Sequence, residues 1–195
     1  MKPHIIYIHG ANSTPRSFNY IKSQLPDHTF TNIAYDANDP IDELVLAAIT
    51  SVKQSGHIIA HSLGGVLGAA VSQAHPKLIK SLTTISTPFG GSEAANRFAM
   101  LLPFSTFLKN IRPGNPVLRG VVKVGEKVPT LTIITTNGHA LFEPNPNDGV
   151  VTVESQETFN ASRQMRADMN HFEVLQDPTI VAAIKAFMEA HRAEP

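Results

Sequence analysis

The chain has no cysteine among its 195 residues. That absence excludes disulfides, thiol nucleophiles and thiolate metal sites, while leaving the redox compartment open, because a disulfide-free protein persists anywhere. It also lacks any excess of charge, with 16 Lys and Arg against 16 Asp and Glu. The balance removes the sequence-level argument for nucleic acid or a strongly anionic membrane surface as partner. Long hydrophobic runs are missing as well: the longest in the interior, Phe98 to Phe104, is seven residues interrupted by Pro103, far below the roughly 20 apolar residues that span a bilayer. No integral membrane association is expected. Met1-Lys2-Pro3-His4 runs straight into Ile5-Ile6-Tyr7-Ile8, too short an apolar core for a signal peptide and without a small-residue cleavage site, so a cytoplasmic location is expected. There is no His-Glu-x-x-His and no paired-carboxylate motif to suggest a transition-metal site.

What is present is 42% hydrophobic content, enough for one domain over residues 1–195 with one sizeable core. Short β-branched runs alternate with helix-patterned stretches, the rhythm of a mostly parallel sheet of about six strands with helices on both faces. Strands are expected at 4–9, 29–35, 57–61, 79–86, 130–136 and 161–168. The first five read as strands buried on both sides; the sixth is polar and rests on its position. Helices are expected from Pro15 to Leu25 with Thr14 as cap, and from Ile41 to Val52 with Asp39 and Pro40 in the same arrangement. A third follows Ser62 and ends at His75-Pro76, and a last one runs from Asp177 to Arg192.

Residues 89–127 break the rhythm, being nearly forty residues between two strands, where a connection takes far fewer unless it serves a purpose. With Phe98, Met100, Leu101, Leu102, Phe104, Phe107 and Leu108, the segment reads as a cap or lid; the alternative is a pair of crossover helices buried in the main core.

The strongest chemical signal is Ala60-His61-Ser62-Leu63-Gly64-Gly65, placed where a buried strand meets a buried helix. This is a nucleophile elbow: the turn strains the serine backbone, exposes its hydroxyl at the carboxyl edge of the sheet, and needs small residues two before and two after so that strand and helix can approach. Ala60 and Gly64 fill those positions. A serine acting on an acyl group needs donors fixed toward the developing oxyanion, and the Leu63 amide at the helix N-terminus is the first candidate.

The elbow, the His9-Gly10 dipeptide ending the first strand, Asn147-Asp148-Gly149-Val150-Val151 and Ser86-Thr87-Pro88-Phe89-Gly90-Gly91-Ser92 together resemble α/β-hydrolases of the lipase and carboxylesterase group. The form is the reduced one without the early antiparallel strands, and the resemblance runs the length of the chain. Ala60 departs from the usual first glycine, as it does in small bacterial lipases, and Phe89 and Gly90 depart from the polar centre of the lipase loop. The resemblance implies a second oxyanion donor after His-Gly, the Ala11 amide, with Asn12 next in line. It implies His171 as base, since this fold delivers its catalytic histidine between the last strand and the last helix. It implies Asp148 as acid in the chain order Ser, acid, His, with Asp168 as rival. The other histidines, His61 and His57 among them, read as polar strand-end or supporting residues. The implied activity is hydrolysis of an acyl bond through an acyl-enzyme on Ser62, on a small-molecule ester or lipid and with no cofactor. Thioester cleavage or acyl transfer by the same residues remains an alternative, as does a non-catalytic binding protein that kept the fold.

Overall fold

Along strand β1 (His4–Ile8) successive side chains enter different cores: Ile6 and Ile8 pack with one cluster, Ile5 and Tyr7 with another. The period of two in a strand makes this alternation obligatory, and it makes β1 a strand buried on both faces. In the computed structural model, which describes residues 2–92, 105–122, 127–139 and 143–192, five more strands follow: β2 (Thr29–Ile33), β3 (Gly56–His61), β4 (Ile79–Ile85), β5 (Thr130–Thr135) and β6 (Arg163–Ala167). All neighbours pair in parallel, in the order β2-β1-β3-β4-β5-β6.

The helices divide between the faces. Helix α1 (Asn19–Gln24) contributes Ile21 to the Tyr7 side. Helices α2 (Ile41–Ser51) and α3 (Leu63–Ala74) cover the Ile6 side, joined there by Leu118 and Val121, which lie beyond α4 (Thr106–Asn110) on α5 (Pro116–Val121). After the short α6 (Val153–Glu157), helix α7 (Pro178–Ala190) returns to the Tyr7 side with Ile180, Val181, Ile184, Phe187 and Met188. Chain direction therefore switches faces between β1 and β3. In open α/β sheets the crevice outside the carboxyl ends of the strands at such a switch point is where ligands bind.

Several expectations needed correction. β2 was read as buried on both sides, yet Thr29, Phe30 and Asn32 are exposed, because β2 is an edge strand with no neighbour beyond it. β6 is the other edge, which accounts for its polar residues. Pro15 to Leu25 is a 3-10 turn over Pro15–Phe18 followed by α1, with the Thr14 hydroxyl accepting from the Arg16 amide. Asp39 does not cap α2: Pro40 takes the cap position without a side-chain bond, and the Ile41 amide donates to Oδ1 of Asn110 at 3.0 Å. The Asn110 amide nitrogen donates in turn to the carbonyls of Ala37 and Asp39. This long-range cap, together with buried Leu118 and Val121, fastens residues 105–122 to the body of the molecule. Phe89 is buried and stacked on Phe159 with centroids 4.1 Å apart. The described parts of 89–127 thus follow the crossover-helix alternative, and the stretch 93–104 that carries most of the expected lid lies outside the described residues.

Candidate active site

β3 ends at His61, and Ser62 turns the chain directly into α3 with φ 53° and ψ −128°. A non-glycine residue at positive φ is strained, and the surroundings hold it there: the Ser62 amide donates to the Ile85 carbonyl of β4 at 2.8 Å, and its own carbonyl accepts from the Gly65 amide at 2.9 Å. The turn closes only because the helix can touch the strand beside it. A Cβ on Gly64 would sit 2.3 Å from the His9 carbonyl oxygen and 2.4 Å from that of Ile8, and one on Gly65 would collide with the Thr87 side chain. The doubled glycine is a packing requirement at the first turn of α3.

The loop after β1 comes up beside the serine. A Cβ on Gly10 would meet Cβ of Ser62 at 3.0 Å and Nδ1 of His61 at 2.9 Å. His9 pins this loop from behind. Its ring stacks on Tyr35 with centroids 4.6 Å apart and planes 5° apart, while the Tyr35 hydroxyl donates to the His9 carbonyl at 2.8 Å. Nδ1 of His9 lies 2.8 Å from the Gly10 carbonyl, so that nitrogen carries the proton and Nε2 accepts from the Tyr35 amide. Burial lowers the pKa of His9 while the Gly10 bond raises it, with a net fall. Asn12 turns the loop at φ 54°. Among the described residues, neither the Ala11 nor the Leu63 amide donates to a backbone carbonyl outside the regular elements.

In the loops that follow β5 and β6, Nδ1 of His171 donates to Oδ2 of Asp148 at 2.8 Å, and the His171 amide donates to the Asp148 carbonyl at 3.0 Å. Both side chains are buried. The same Oδ2 lies 2.5 Å from Oγ1 of Thr135, the last residue of β5, whereas Oδ1 accepts from the amides of Val150 and Val151 at 2.9 and 2.7 Å. Thr135 has one hydroxyl proton and Asp148 can only accept, so Thr135 donates to Asp148, and the Ser86 hydroxyl lies 2.8 Å from the same Thr135 oxygen. Gln156 of α6 closes the network: its Oε1 accepts from the Thr135 amide and its Nε2 donates to the Thr135 carbonyl and, at 3.5 Å, to Oδ2. Burial pushes the Asp148 carboxyl up, but the hydrogen bond and charge of His171 with the Thr135 and Val151 donors outweigh it, and the carboxyl lies below the usual range. Asp148 is an ionised acceptor held by five donor groups.

The structure thus brings together Ser62, the Leu63 amide and the Gly10-Ala11 turn on one side, and His171 with Asp148 on the other. Asp168, the rival acid, is exposed, and among the described residues it pairs with no histidine. No hydrogen bond joins Ser62 Oγ to His171 Nε2 in the described structure; in free enzymes this bond is commonly long and tightens with substrate. His61 links the two halves, donating from Nε2 to the His171 carbonyl at 2.9 Å, with the two rings 4.7 Å apart. Thr135 and Gln156 were not among the residues anticipated, and Ser86 was read only as the first residue of the lipase-like loop. Their link to Asp148 depends on β4, β5 and α6 meeting, for which no local motif exists. Phe89, the departure from the polar lipase loop, is explained by its stack on Phe159. Among the described residues no cluster of three or more His, Asp or Glu is arranged to hold a metal ion, and no helix is long and apolar enough to cross a membrane.

A family profile described as the alpha/beta hydrolase fold matches residues 9–122, more than half of the chain and including the His-Gly turn and the elbow. The chain belongs to the α/β-hydrolase family. No curated protein sequence matches it, but solved structures resemble this chain, several of them over nearly their whole length. The mature form of a Bacillus licheniformis lipase superposes with a TM-score of 0.76 at 14% identity, covering 96% of this chain and 92% of that one. A hydrolase from Oleispira antarctica gives 0.69 at 13%, covering 97% and 92%. A monoacylglycerol lipase from Paleococcus ferrophilus gives 0.66 at 14%, covering 97% and 95%. At such identities the likeness speaks for the fold alone, and activity and substrate must be argued from the site.

Proposed function

We propose that this α/β-hydrolase is a serine esterase or lipase that cleaves carboxylic esters of apolar acyl groups, with Ser62 as nucleophile, His171 as general base and acid, and Asp148 as the orienting carboxylate. The observation that carries the reading is the buried Asp148–His171 pair, tied through His61 to the strand-to-helix turn where Ser62 is held at positive φ. Ser62 Oγ attacks the ester carbonyl carbon as its proton passes to Nε2 of His171; the C–O π electrons move onto oxygen, which is received by the Leu63 and Ala11 amides. The tetrahedral adduct then expels the alkoxide, which takes the proton from Nε2, leaving the acyl group on Ser62. Water repeats the sequence and releases the acid. Asp148 keeps its negative charge throughout and stabilises the imidazolium.

Apolar substrates are supported by what flanks the pair. Phe172, 64% exposed, packs edge-on against the His171 ring, and Val150, 46% exposed, follows Asp148. Of the four large apolar side chains exposed among the described residues, Phe172 and Val150 lie within two positions of His171 and Asp148 in the chain, which supports an apolar ligand at this end of the sheet. The test is hydrolysis of p-nitrophenyl esters from acetate to palmitate. Turnover that rises with chain length beyond acetate supports the reading. Failure on every ester, with turnover of acyl thioesters or transfer of the acyl group to an added alcohol faster than to water, moves the function to a thioesterase or acyltransferase.

A further inference from the structure

Resting on the triad reading above, we infer that His61 is a positioning residue for this hydrolase, its Nε2–H holding the backbone of His171 while its ring spaces the catalytic imidazole from the Gly10 turn.

His61 carries an energetic cost where it sits. His61 is 2% exposed, and its Nδ1 is a buried polar atom with no hydrogen-bond partner. Buried nitrogens are nearly always paired, and one that is not calls for an explanation. If the ring only filled space at the end of β3, an apolar ring of the same shape would do so without the orphan acceptor. What an apolar ring lacks is the proton on Nε2. A carbonyl can only accept, so the 2.9 Å contact with His171 O fixes that proton and makes Nδ1 the lone-pair nitrogen.

The geometry explains why this matters. His171 is held by its side chain to Asp148 and by its amide to the Asp148 carbonyl, both on the acid loop. The His61 bond is the tie in the opposite direction, from the strand that carries Ser62 to the loop that carries the base. On its far edge the same ring lies against Gly10, where a Cβ would come within 2.9 Å of Nδ1. One side chain therefore touches the base, adjoins the nucleophile in sequence and backs the turn that presents the Ala11 amide. The ring stays uncharged: burial and the facing His171 and His9 push its pKa down to about 3 against the pull of the His171 carbonyl and Asp148. No second positive charge then opposes the imidazolium that forms on His171.

The experiment compares kcat and KM on p-nitrophenyl butyrate for wild type, H61F, H61Q, H61N and S62A, with the downfield proton resonance of the His171–Asp148 hydrogen bond followed in each. Phenylalanine keeps the ring and removes the donor; glutamine places an N–H near the position of Nε2; asparagine is too short to reach. Expected is a fall in kcat of about 10- to 100-fold for H61F, the scale of a small misalignment of catalytic groups, with KM unchanged and the downfield resonance broadened. H61Q recovers most of both and H61N neither. If H61F does not fold, the H61Q and H61N pair carries the same contrast. Wild-type kcat in H61F or H61N, or equal losses in H61Q and H61N, overturns the proposal. S62A separates the two levels: activity that survives in S62A removes the triad reading itself, whereas an inactive S62A beside a fully active H61N removes only the role of His61.

Discussion

Replacing Gly64 by alanine places a methyl group 2.3 Å from the His9 carbonyl oxygen and 2.4 Å from that of Ile8. Neither oxygen is the end of a flexible side chain. Both belong to the backbone at the carboxyl end of β1, which is hydrogen-bonded to β2 and β3, so relief requires α3 to lift from the sheet or β1 to shift. Overpacking a tight core costs about 1–3 kcal/mol, and a backbone clash of this depth belongs at the upper end. At about 2–4 °C per kcal/mol for a domain of this size, a loss of about 3 kcal/mol lowers Tm by about 6–12 °C. Gly120 provides the control, because it lies within α5 and a Cβ there meets nothing within 4 Å. Gly120→Ala gains helix propensity worth about 0.5–1 kcal/mol and raises Tm by about 1–4 °C. Thermal unfolding followed by circular dichroism reads both. A Gly64→Ala protein that melts within about 2 °C of wild type and retains its activity would refute the claim that α3 contacts β1 at this point, and with it the elbow geometry.

Asp148→Asn keeps the shape of the pair but removes the charge that stabilises the imidazolium; kcat is expected to fall about 10,000-fold, and a fall below tenfold in ester turnover would contradict the assignment. The carboxyl of Asp148 is held below its ordinary range, so its stabilising contribution is present above the unfolded value of about 4 and is lost as pH falls through the lowered folded value. Urea titrations of wild type and Asp148→Asn should therefore converge in acid. Thr135→Val removes a buried donor to that carboxylate and should cost about 1.5–3 kcal/mol at neutral pH in the same assay; an unchanged midpoint would show the hydroxyl to be dispensable. His57 is 1% exposed and bonded at Nδ1 to the Ser81 hydroxyl, and burial followed by the charges of Lys80, His191 and Arg192 pushes its pKa from 6.5 to about 4. The unfolded chain takes up the proton first, so stability declines between those two pH values by on the order of 3 kcal/mol. His57→Gln should flatten that decline, and an equally steep profile in the variant would contradict it.

Strand positions were legible within one or two residues because parallel strands covered on both faces are written as β-branched runs, and β1, β3, β4 and β5 are of that kind. The two edges were harder to read, since Thr29-Phe30-Thr31 and Arg163-Gln164 carry the polarity of strands with one open side. The strand-to-helix turn at Ser62 was legible because its requirements are local: a small residue, a serine and paired glycines lie close together where β3 becomes α3. Choosing Asp148 over Asp168 drew on the likeness of one loop to those of lipases. The pairing itself depends on the turn after β5 folding back until Asp148 meets His171, 23 positions on in the chain. What no local pattern announces is the support around the site. Asn110 caps a helix 69 residues earlier, Thr135 and Gln156 converge on one carboxylate from different elements, and His61 reaches the carbonyl of a residue 110 positions away. Such contacts use ordinary residue types, and only the tertiary arrangement gives them a role.

The most direct test of the account is covalent labelling of the intact protein with a fluorophosphonate, read by mass spectrometry and peptide mapping, for wild type, Ser62→Ala and His171→Ala. Expected are one adduct on Ser62 in the wild type, none in Ser62→Ala, and labelling slowed by orders of magnitude in His171→Ala. Absence of label in the wild type, label on another residue, or undiminished labelling without His171 would contradict a serine activated by the His171–Asp148 pair.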